Sequence, residues 1–212
     1  MTRWLRWLFF GVIVRLLVLI VLGLNVRHRE RLPVHGPALL VANHNSHLDT
    51  LVLMSLFPLS RLTRLRPVAA ADYFLRNRLL AWFMLNIVGI IPISRSPRRG
   101  EEPLAGLIEA LGRGDILLLF PEGSRGEPER MSRFRTGLIH VLEREPATAV
   151  VPVFMHGLGK ALPKGEALLV PFFCDVFVGV PLQWCGNRTD FMTRLEASMQ
   201  GLASEGQFAA WD

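Results

Sequence analysis

The chain has 212 residues, which is enough for one domain with a substantial hydrophobic core. Hydrophobic residues make up 50% of it and charged residues 20%, and the mean hydropathy of +0.32 is high for a soluble protein, so we expect contact with a membrane. Two cysteines exclude a scaffold held by disulfide bonds. The formal net charge of +6 comes almost entirely from arginine and favours a partner that carries phosphate, whether nucleic acid, anionic lipid or a small substrate.

The N-terminal segment is the most apolar part of the sequence. Residues 7–24 contain a single charged residue, Arg15. As a helix, this segment would be about 27 Å long, close to the thickness of a bilayer core. Because Arg15 in the hydrocarbon would cost on the order of 3 kcal/mol, two arrangements stay open. The helix either spans the membrane, or it dips into one leaflet or lies along the interface so that Arg15 reaches the headgroups.

The flank of this segment is basic. Arg27, Arg29 and Arg31 follow it, which favours the cytoplasmic face of the cell membrane for the rest of the chain. The same bulky, basic flank disfavours a cleaved signal peptide. A helix packed in a soluble core is disfavoured because the apolar surface runs nearly all round. The sequence thus predicts a hydrophobic membrane-anchoring helix with its basic flank at residues 1–31 and a separate domain at residues 32–212.

Beyond residue 31, strand and helix patterns alternate. The predicted strands are residues 38–42, 67–71, 90–93, 115–120, 149–154 and one or two within 168–180. The predicted helices are residues 48–57, 73–86, 104–111, 136–144 and 188–202, with a polar loop at 96–103. This alternation predicts a single α/β domain with a mostly parallel or mixed central sheet flanked by helices. Functional residues in such folds gather where strands end, which singles out the loops at 43–49, 89–95 and 121–125.

The first loop reads NHNSHLD and contains His44, His47 and Asp49. These are metal-ligand residue types, but their spacing lacks a paired histidine of the H-E-x-x-H kind, so a metal site is disfavoured. The five-residue spacing of His44 and Asp49 allows a turn to return the carboxylate to one imidazole nitrogen, leaving the other to accept a proton. Such a pair suits attack by a substrate hydroxyl on an activated acyl donor such as a thioester. A helix N-cap by Asn45 or Ser46 is a compatible structural explanation.

The third loop, FPEGSR, favours anion binding. Gly123 allows close approach of the backbone to a ligand, and Arg125 offers a forked donor to phosphate. Glu122 is predicted either to orient Arg125 or to hold a substrate hydroxyl. Arg95, at the end of GIIPISR, is a second candidate for the same anion, although solvated loop arginines are the simpler alternative. The EGSRG segment is one glycine short of a G-x-S-x-G elbow, which disfavours a serine hydrolase.

Four segments together resemble the sequence blocks of the glycerolipid acyltransferases, the lysophosphatidic acid acyltransferase family. They are NHNSHLD at 43–49, GIIPISR at 89–95, FPEGSR at 120–125 and VVPV at 150–153. The resemblance runs from about residue 32 to 182. It implies transfer of a fatty acyl group from acyl-CoA or acyl-carrier protein to a glycerol hydroxyl at the membrane surface, with no cofactor and no metal.

The resemblance also implies roles for individual residues. His44 would be the general base and Asp49 its partner. The implied substrate-binding residues are Arg95, Glu122, Gly123, Ser124, Arg125, Arg135 and Pro152, with Pro152 on the acyl side. The chain departs from the family pattern at Ser94, often acidic in relatives, at Ser124, usually threonine, and at Arg135, usually lysine.

We therefore expect a membrane-associated O-acyltransferase of phospholipid biosynthesis, acting on lysophosphatidic acid. Its expected partners are membrane lipid, the lysophospholipid acceptor and the acyl thioester. Nucleic acid is not expected, because aromatic residues are few outside apolar runs. The alternatives are the same chemistry on glycerol 3-phosphate, another lysophospholipid or an amino-lipid, and a lipid-binding relative without turnover.

Overall fold

The computed structural model describes residues 2–96, 100–124, 131–161 and 172–208. A mixed central sheet runs through these residues in the order β1-β7-β6-β2-β5-β3-β4. The strands are β1 Leu22–Arg27, β2 Ala38–Ala42, β3 Leu65–Ala70, β4 Ile91–Ile93, β5 Ile116–Leu119, β6 Ala149–His156 and β7 Phe172–Val178. Neighbouring strands are parallel except β6 and β7, which are antiparallel. The predicted α/β fold with a parallel or mixed sheet is confirmed.

Helices flank the sheet on both faces. They are α1 Thr2–Leu8, α2 Leu48–Ser55, α3 Ala71–Phe74, α4 Arg78–Phe83, α5 Ala105–Gly112, α6 Gly137–Arg144, α7 Leu158–Ala161 and α8 Arg188–Glu205. Most agree closely with the predicted segments. The predicted helix at 73–86 is wrong in continuity, because the Asn77 side chain accepts the backbone N–H groups of Leu79 and Leu80 and so begins a new helix, α4. Parts of the predicted loop at 96–103 and of the strand region at 168–180 lie outside the described residues.

Strand β2 lies in the middle of the sheet and is buried on both faces. Leu40 and Ala42 pack in the core beneath the N-terminal helix and α2, whereas Leu39 and Val41 pack beneath α5, α6 and α8. A strand covered on both faces needs apolar residues at every position, which explains the uninterrupted ALLVA sequence. The end of this strand, just before residue 43, therefore opens from a rigid position at the centre of the molecule.

The N-terminal segment differs from its predicted form. Helical structure covers residues 2–21, as α1 followed by π-helical turns at Phe9–Val14 and Leu17–Val21, and we call these residues helix 1. The predicted helix to residue 24 is wrong at its end, because Leu22–Arg27 forms β1 and pairs with β7. The division at residue 31 stays a prediction, and the first strand of the sheet lies before it. No helix in the described part of the chain is long and apolar enough to cross a membrane.

Helix 1 has two unlike faces. Phe10, Val14 and Val18 are buried in the core, so the helix packs on the domain along one side. The other side leaves large apolar residues in solvent, among them Trp4 and Leu19, each 70% exposed. The sequence is apolar at almost every position, so its periodicity alone did not separate the two faces.

Candidate active site

The first loop begins where β2 ends, and a side chain fixes it to the neighbouring strand. Asn43 donates from Nδ2 to the Met155 carbonyl at 2.8 Å and accepts the Met155 N–H on Oδ1 at 2.7 Å. Both bonds are buried, which makes them strong determinants of the loop's path. Helix α2 then begins at Leu48, with His47 at the N-cap position. His44 is thereby held at the carboxyl edge of the sheet, where the fold predicts a site.

His44 and Asp49 are in direct contact. Nδ1 of His44 lies 2.9 Å from Oδ2 of Asp49, and the same oxygen accepts the backbone N–H groups of Asn45 at 2.7 Å and Ser46 at 2.9 Å. The Asp49 side chain is 1% exposed and that of His44 is 20% exposed. Because an ionised carboxylate only accepts, the imidazole donates from Nδ1, which leaves Nε2 as the acceptor. The geometry holds the ring in one orientation and leaves Nε2 able to accept a proton.

The third loop touches the first through Phe120 and Glu122. The His44 ring stacks on the Phe120 ring with centroids 4.2 Å apart and planes at 22°. The backbone N–H of His44 donates to Oε1 of Glu122 at 2.9 Å. The stacking positions the imidazole and the hydrogen bond positions its backbone, so the orientation of His44 depends on both loops.

Glu122 uses both carboxylate oxygens on backbone donors. Oε1 accepts from His44, and Oε2 accepts the N–H of Ser132 at 3.0 Å. Burial raises the pKa of Glu122, while these two hydrogen bonds act in the opposite direction. Glu122 thus connects the His44 loop, its own loop and the segment at Ser132.

Arg95 and Arg135 converge on Gly123. Arg95 donates from Nη2 to the Gly123 carbonyl at 2.9 Å, and its Nη1 lies 4.0 Å from Asp72 Oδ2. Gly123 has a φ of +73°, and a Cβ placed there would lie 2.7 Å from Nε of Arg135. The backbone angle favours glycine, and a Cβ at this position would displace the Arg135 guanidinium. Two exposed positive groups therefore meet next to the loop that touches His44.

The remaining predicted site residues are placed differently. Arg125 lies outside the described residues, and Ser124 is exposed at the edge of that gap. Pro152 lies inside β6 opposite Val41, and its ring approaches the site of Gly179 near α8. It is therefore not brought together with the His44 cluster. In the described ranges, no group of three or more His, Cys, Asp or Glu side chains is arranged to hold a metal ion.

Arg6 is a structural residue of the site that the sequence did not reveal. It is buried and donates to the carbonyls of Leu65 at 3.3 Å and Val88 at 3.0 Å. A Cβ on Gly89, the first residue of the GIIPISR segment, would lie 2.8 Å from Arg6 Nη1. Burial, together with the neighbouring Arg66, lowers the pKa of Arg6 to about 10, so it stays charged at neutral pH. Helix 1 is thus attached to the start of the segment that ends in Arg95.

The chain is similar in sequence to known acyltransferases. Residues 23–156 match the model of the family described as Acyltransferase. The chain is 31% identical over 172 residues to the chloroplastic 1-acyl-sn-glycerol-3-phosphate acyltransferase of Arabidopsis thaliana, covering 80% of this chain and 46% of that protein. It is 29% identical over 124 residues to the lyso-ornithine lipid O-acyltransferase of Rhizobium meliloti, covering 56% and 38%. The chain spans about half the length of the first curated relatives it matches.

A solved structure shares the fold. The crystal structure of the 1-acyl-sn-glycerophosphate acyltransferase PlsC from Thermotoga maritima superposes with a TM-score of 0.78 at 18% identity. The match covers all of this chain and 83% of that one. The likeness therefore extends to helix 1 and the C-terminal helix α8, outside the residues that the family model matches.

Proposed function

The chain belongs to the acyltransferase family, and from this we propose that it transfers a fatty acyl group from an acyl thioester to the free hydroxyl of lysophosphatidic acid. The single observation that carries the proposal is the His44–Asp49 pair with Nε2 left as an acceptor. The names of the curated relatives support the class of acceptor.

The proposed mechanism needs no nucleophile from the protein. Nε2 of His44 removes the proton of the acceptor hydroxyl as the hydroxyl oxygen attacks the thioester carbonyl. Asp49 holds the imidazole by Nδ1 and stabilises the positive charge that forms on it. When the tetrahedral intermediate collapses, the C–S bond breaks, the thiolate leaves, and His44 returns the proton to the sulfur. The oxyanion of the intermediate requires hydrogen-bond donors, which we do not assign to particular residues.

The acceptor phosphate is proposed to bind at the arginine cluster. Arg95 and Arg135 both lie next to Gly123, and a guanidinium fork matches the geometry of a phosphate. Arg125 and Ser124 extend this cluster in the proposal. Glu122 contributes indirectly, since its oxygens hold the backbone of His44 and Ser132. Pro152 stays a proposed residue of the acyl side.

The exposed apolar residues of helix 1 suit a lipid substrate. Helix 1 packs beside α4 through the Phe9 and Phe83 rings, whose centroids are 5.1 Å apart. Both helices leave large apolar residues in solvent: Trp4, Trp7, Ile13, Leu19, Leu79 and Trp82. We propose that this surface rests on the cytoplasmic face of the cell membrane and receives the acceptor from it, while acyl-CoA or acyl-carrier protein brings the acyl group. No cofactor is part of the proposal.

An amino-lipid acceptor is the second candidate. It is favoured by the similarity to the lyso-ornithine lipid O-acyltransferase of Rhizobium meliloti. The chemistry at His44 would be unchanged, because the attacking group is again a hydroxyl. The headgroup would then lack the phosphate monoester that the arginine cluster suits.

The test is a panel of acceptors and donors with the purified protein, read by mass spectrometry of the lipid products. We expect phosphatidic acid from lysophosphatidic acid with at least one thioester donor, and no product from His44→Ala. His47→Ala is the matched control, because His47 is an exposed histidine of the same loop. Product from the amino-lipid acceptor alone would replace the first candidate by the second. Absence of turnover with every donor, or full activity of a folded His44→Ala protein, would reject the mechanism.

A further inference from the structure

We propose that a cavity beneath helix 1 binds the anionic headgroup of a membrane phospholipid that is not the substrate. The cavity has a volume of about 280 Å³ and lies between helix 1, the end of α2 and the turn that follows it. Phe10 and Arg15 line it from helix 1, and Met54, Phe57 and Leu62 line it from the opposite side. Its position and chemistry separate it from the site at His44.

The cavity and the proposed active site lie at opposite ends of α2. His44 and Asp49 stand at the start of this helix, whereas Met54 and Ser55 at its end line the cavity. Eight helical residues rise about 12 Å. A ligand in the cavity would therefore leave His44 free to act on the acceptor.

The charge of the cavity matches an anion. The Arg15 side chain makes no hydrogen bond or ion pair with any residue in the part of the chain that the structure describes. Arg29 is fixed by a 2.8 Å bond from Nη2 to the Leu56 carbonyl, which leaves its other N–H groups available. The described residues that line the cavity include no carboxylate. Two guanidiniums without a counter-charge suit a phosphate, to which arginine donates in pairs.

The surroundings of the cavity match a lipid better than a free anion. Its walls are otherwise mostly apolar, from Phe10 and Met54 to Leu62. On helix 1, Arg15 lies one turn from the exposed apolar residues Val12 and Leu19, and Leu19 belongs to the surface proposed to rest on the membrane. A phosphodiester headgroup at Arg15 and Arg29 would keep the attached chains next to these residues. This also explains a charged residue in the middle of an apolar segment, because Arg15 stands at the level of the headgroups.

The experiment titrates the full chain with soluble short-chain lipids by isothermal titration calorimetry. The ligands are dihexanoyl phosphatidylglycerol, dihexanoyl phosphatidylcholine and inorganic phosphate, each below micelle formation. The variants are Arg15→Gln alone and with Arg29→Gln. The control, Arg76→Gln with Arg78→Gln, removes the same charge from exposed residues beside the apolar surface of α4. Arg15→Gln breaks no hydrogen bond within the described residues, so it also tests the site without loss of a structural contact.

We expect one phosphatidylglycerol molecule per chain, bound about fivefold more weakly by Arg15→Gln and about twentyfold or more by the double variant. The control and His44→Ala should bind like the wild type. If the control lost as much affinity for phosphatidylglycerol as the double variant, the lipid would be attracted by the overall positive charge of the protein, and the proposed site would be wrong. The site would also be wrong if phosphatidylcholine or inorganic phosphate bound as tightly as phosphatidylglycerol. Loss of binding in Arg95→Gln would place the lipid in the acceptor cluster and also reject the cavity. None of these results depends on acyl transfer, so the cavity and the proposed function fail separately.

Discussion

The Asp49→Asn substitution isolates the charge behind the proposed base. The amide oxygen of asparagine can occupy the position of Oδ2 and still accept from Asn45, Ser46 and the His44 imidazole. The loop geometry should therefore persist while the negative charge is lost. The atoms of the pair are 2.9 Å apart, so their charge centres lie about 4 Å apart, and an effective dielectric constant of about 20 gives an attraction of about 4 kcal/mol. Because the proposed mechanism forms the imidazolium as the acceptor proton is removed, we expect kcat to fall about a thousandfold.

The assay follows release of free thiol from the acyl thioester in the presence of acceptor, at saturating concentrations of both. The acceptor KM should change little, because Asp49 is 1% exposed and its side chain forms its hydrogen bonds with His44, Asn45 and Ser46. Thermal unfolding supplies the structural control. Asp49→Ala differs here, because it leaves two buried backbone N–H groups without an acceptor and should cost about 1–3 kcal/mol for each. A correctly folded Asp49→Asn protein within tenfold of wild-type kcat, a loss of about 1.4 kcal/mol or less, would refute the assigned role of the charge.

Three further predictions concern Gly123, Glu122 and Arg6. Gly123→Ala combines a φ of +73° with a side chain directed at Arg135, so it should cost about 1–2 kcal/mol of strain and raise the acceptor KM more than it lowers kcat; an unchanged KM would remove this loop from the acceptor site. The raised pKa of Glu122 means that its contribution to stability is present below its ordinary pKa and is lost as the pH rises through the raised value. We therefore expect the free energy of unfolding of the wild type, measured with denaturant, to fall relative to that of Glu122→Gln as the pH rises from about 4. A difference between the two proteins that does not change with pH would contradict this. Arg6→Met leaves two buried carbonyls without their donor and should lower the free energy of unfolding by about 2 kcal/mol, whereas Arg3→Met, exposed on the same helix, should have no measurable effect in the same assay.

Local features of this protein could be predicted from its sequence. The strand at 38–42 is buried on both faces, and its five consecutive apolar residues predict this burial without information from any other part of the chain. The contact between His44 and Asp49 spans a single turn, so their spacing was enough to anticipate it. Their catalytic roles stay predictions. Most helices and strands after residue 31 were predictable for the same reason, since each period is read over a few residues. The break at Asn77 within the predicted helix at 73–86 was not predicted.

The contacts that organise the site depend on tertiary structure. Glu122 accepts a hydrogen bond from the backbone of His44, 78 residues away in sequence, because β2 and β5 are neighbours in the sheet. Arg95 reaches Gly123 because the strands that precede them, β4 and β5, are separated in the sheet only by β3. Strand order is decided by the packing of the whole chain, which no single segment encodes. The same holds for helix 1. Its composition indicated an apolar helix, but only its packing against the core separated the buried face of Phe10 from the exposed face, and only the free edge of β7 made Leu22–Arg27 a strand.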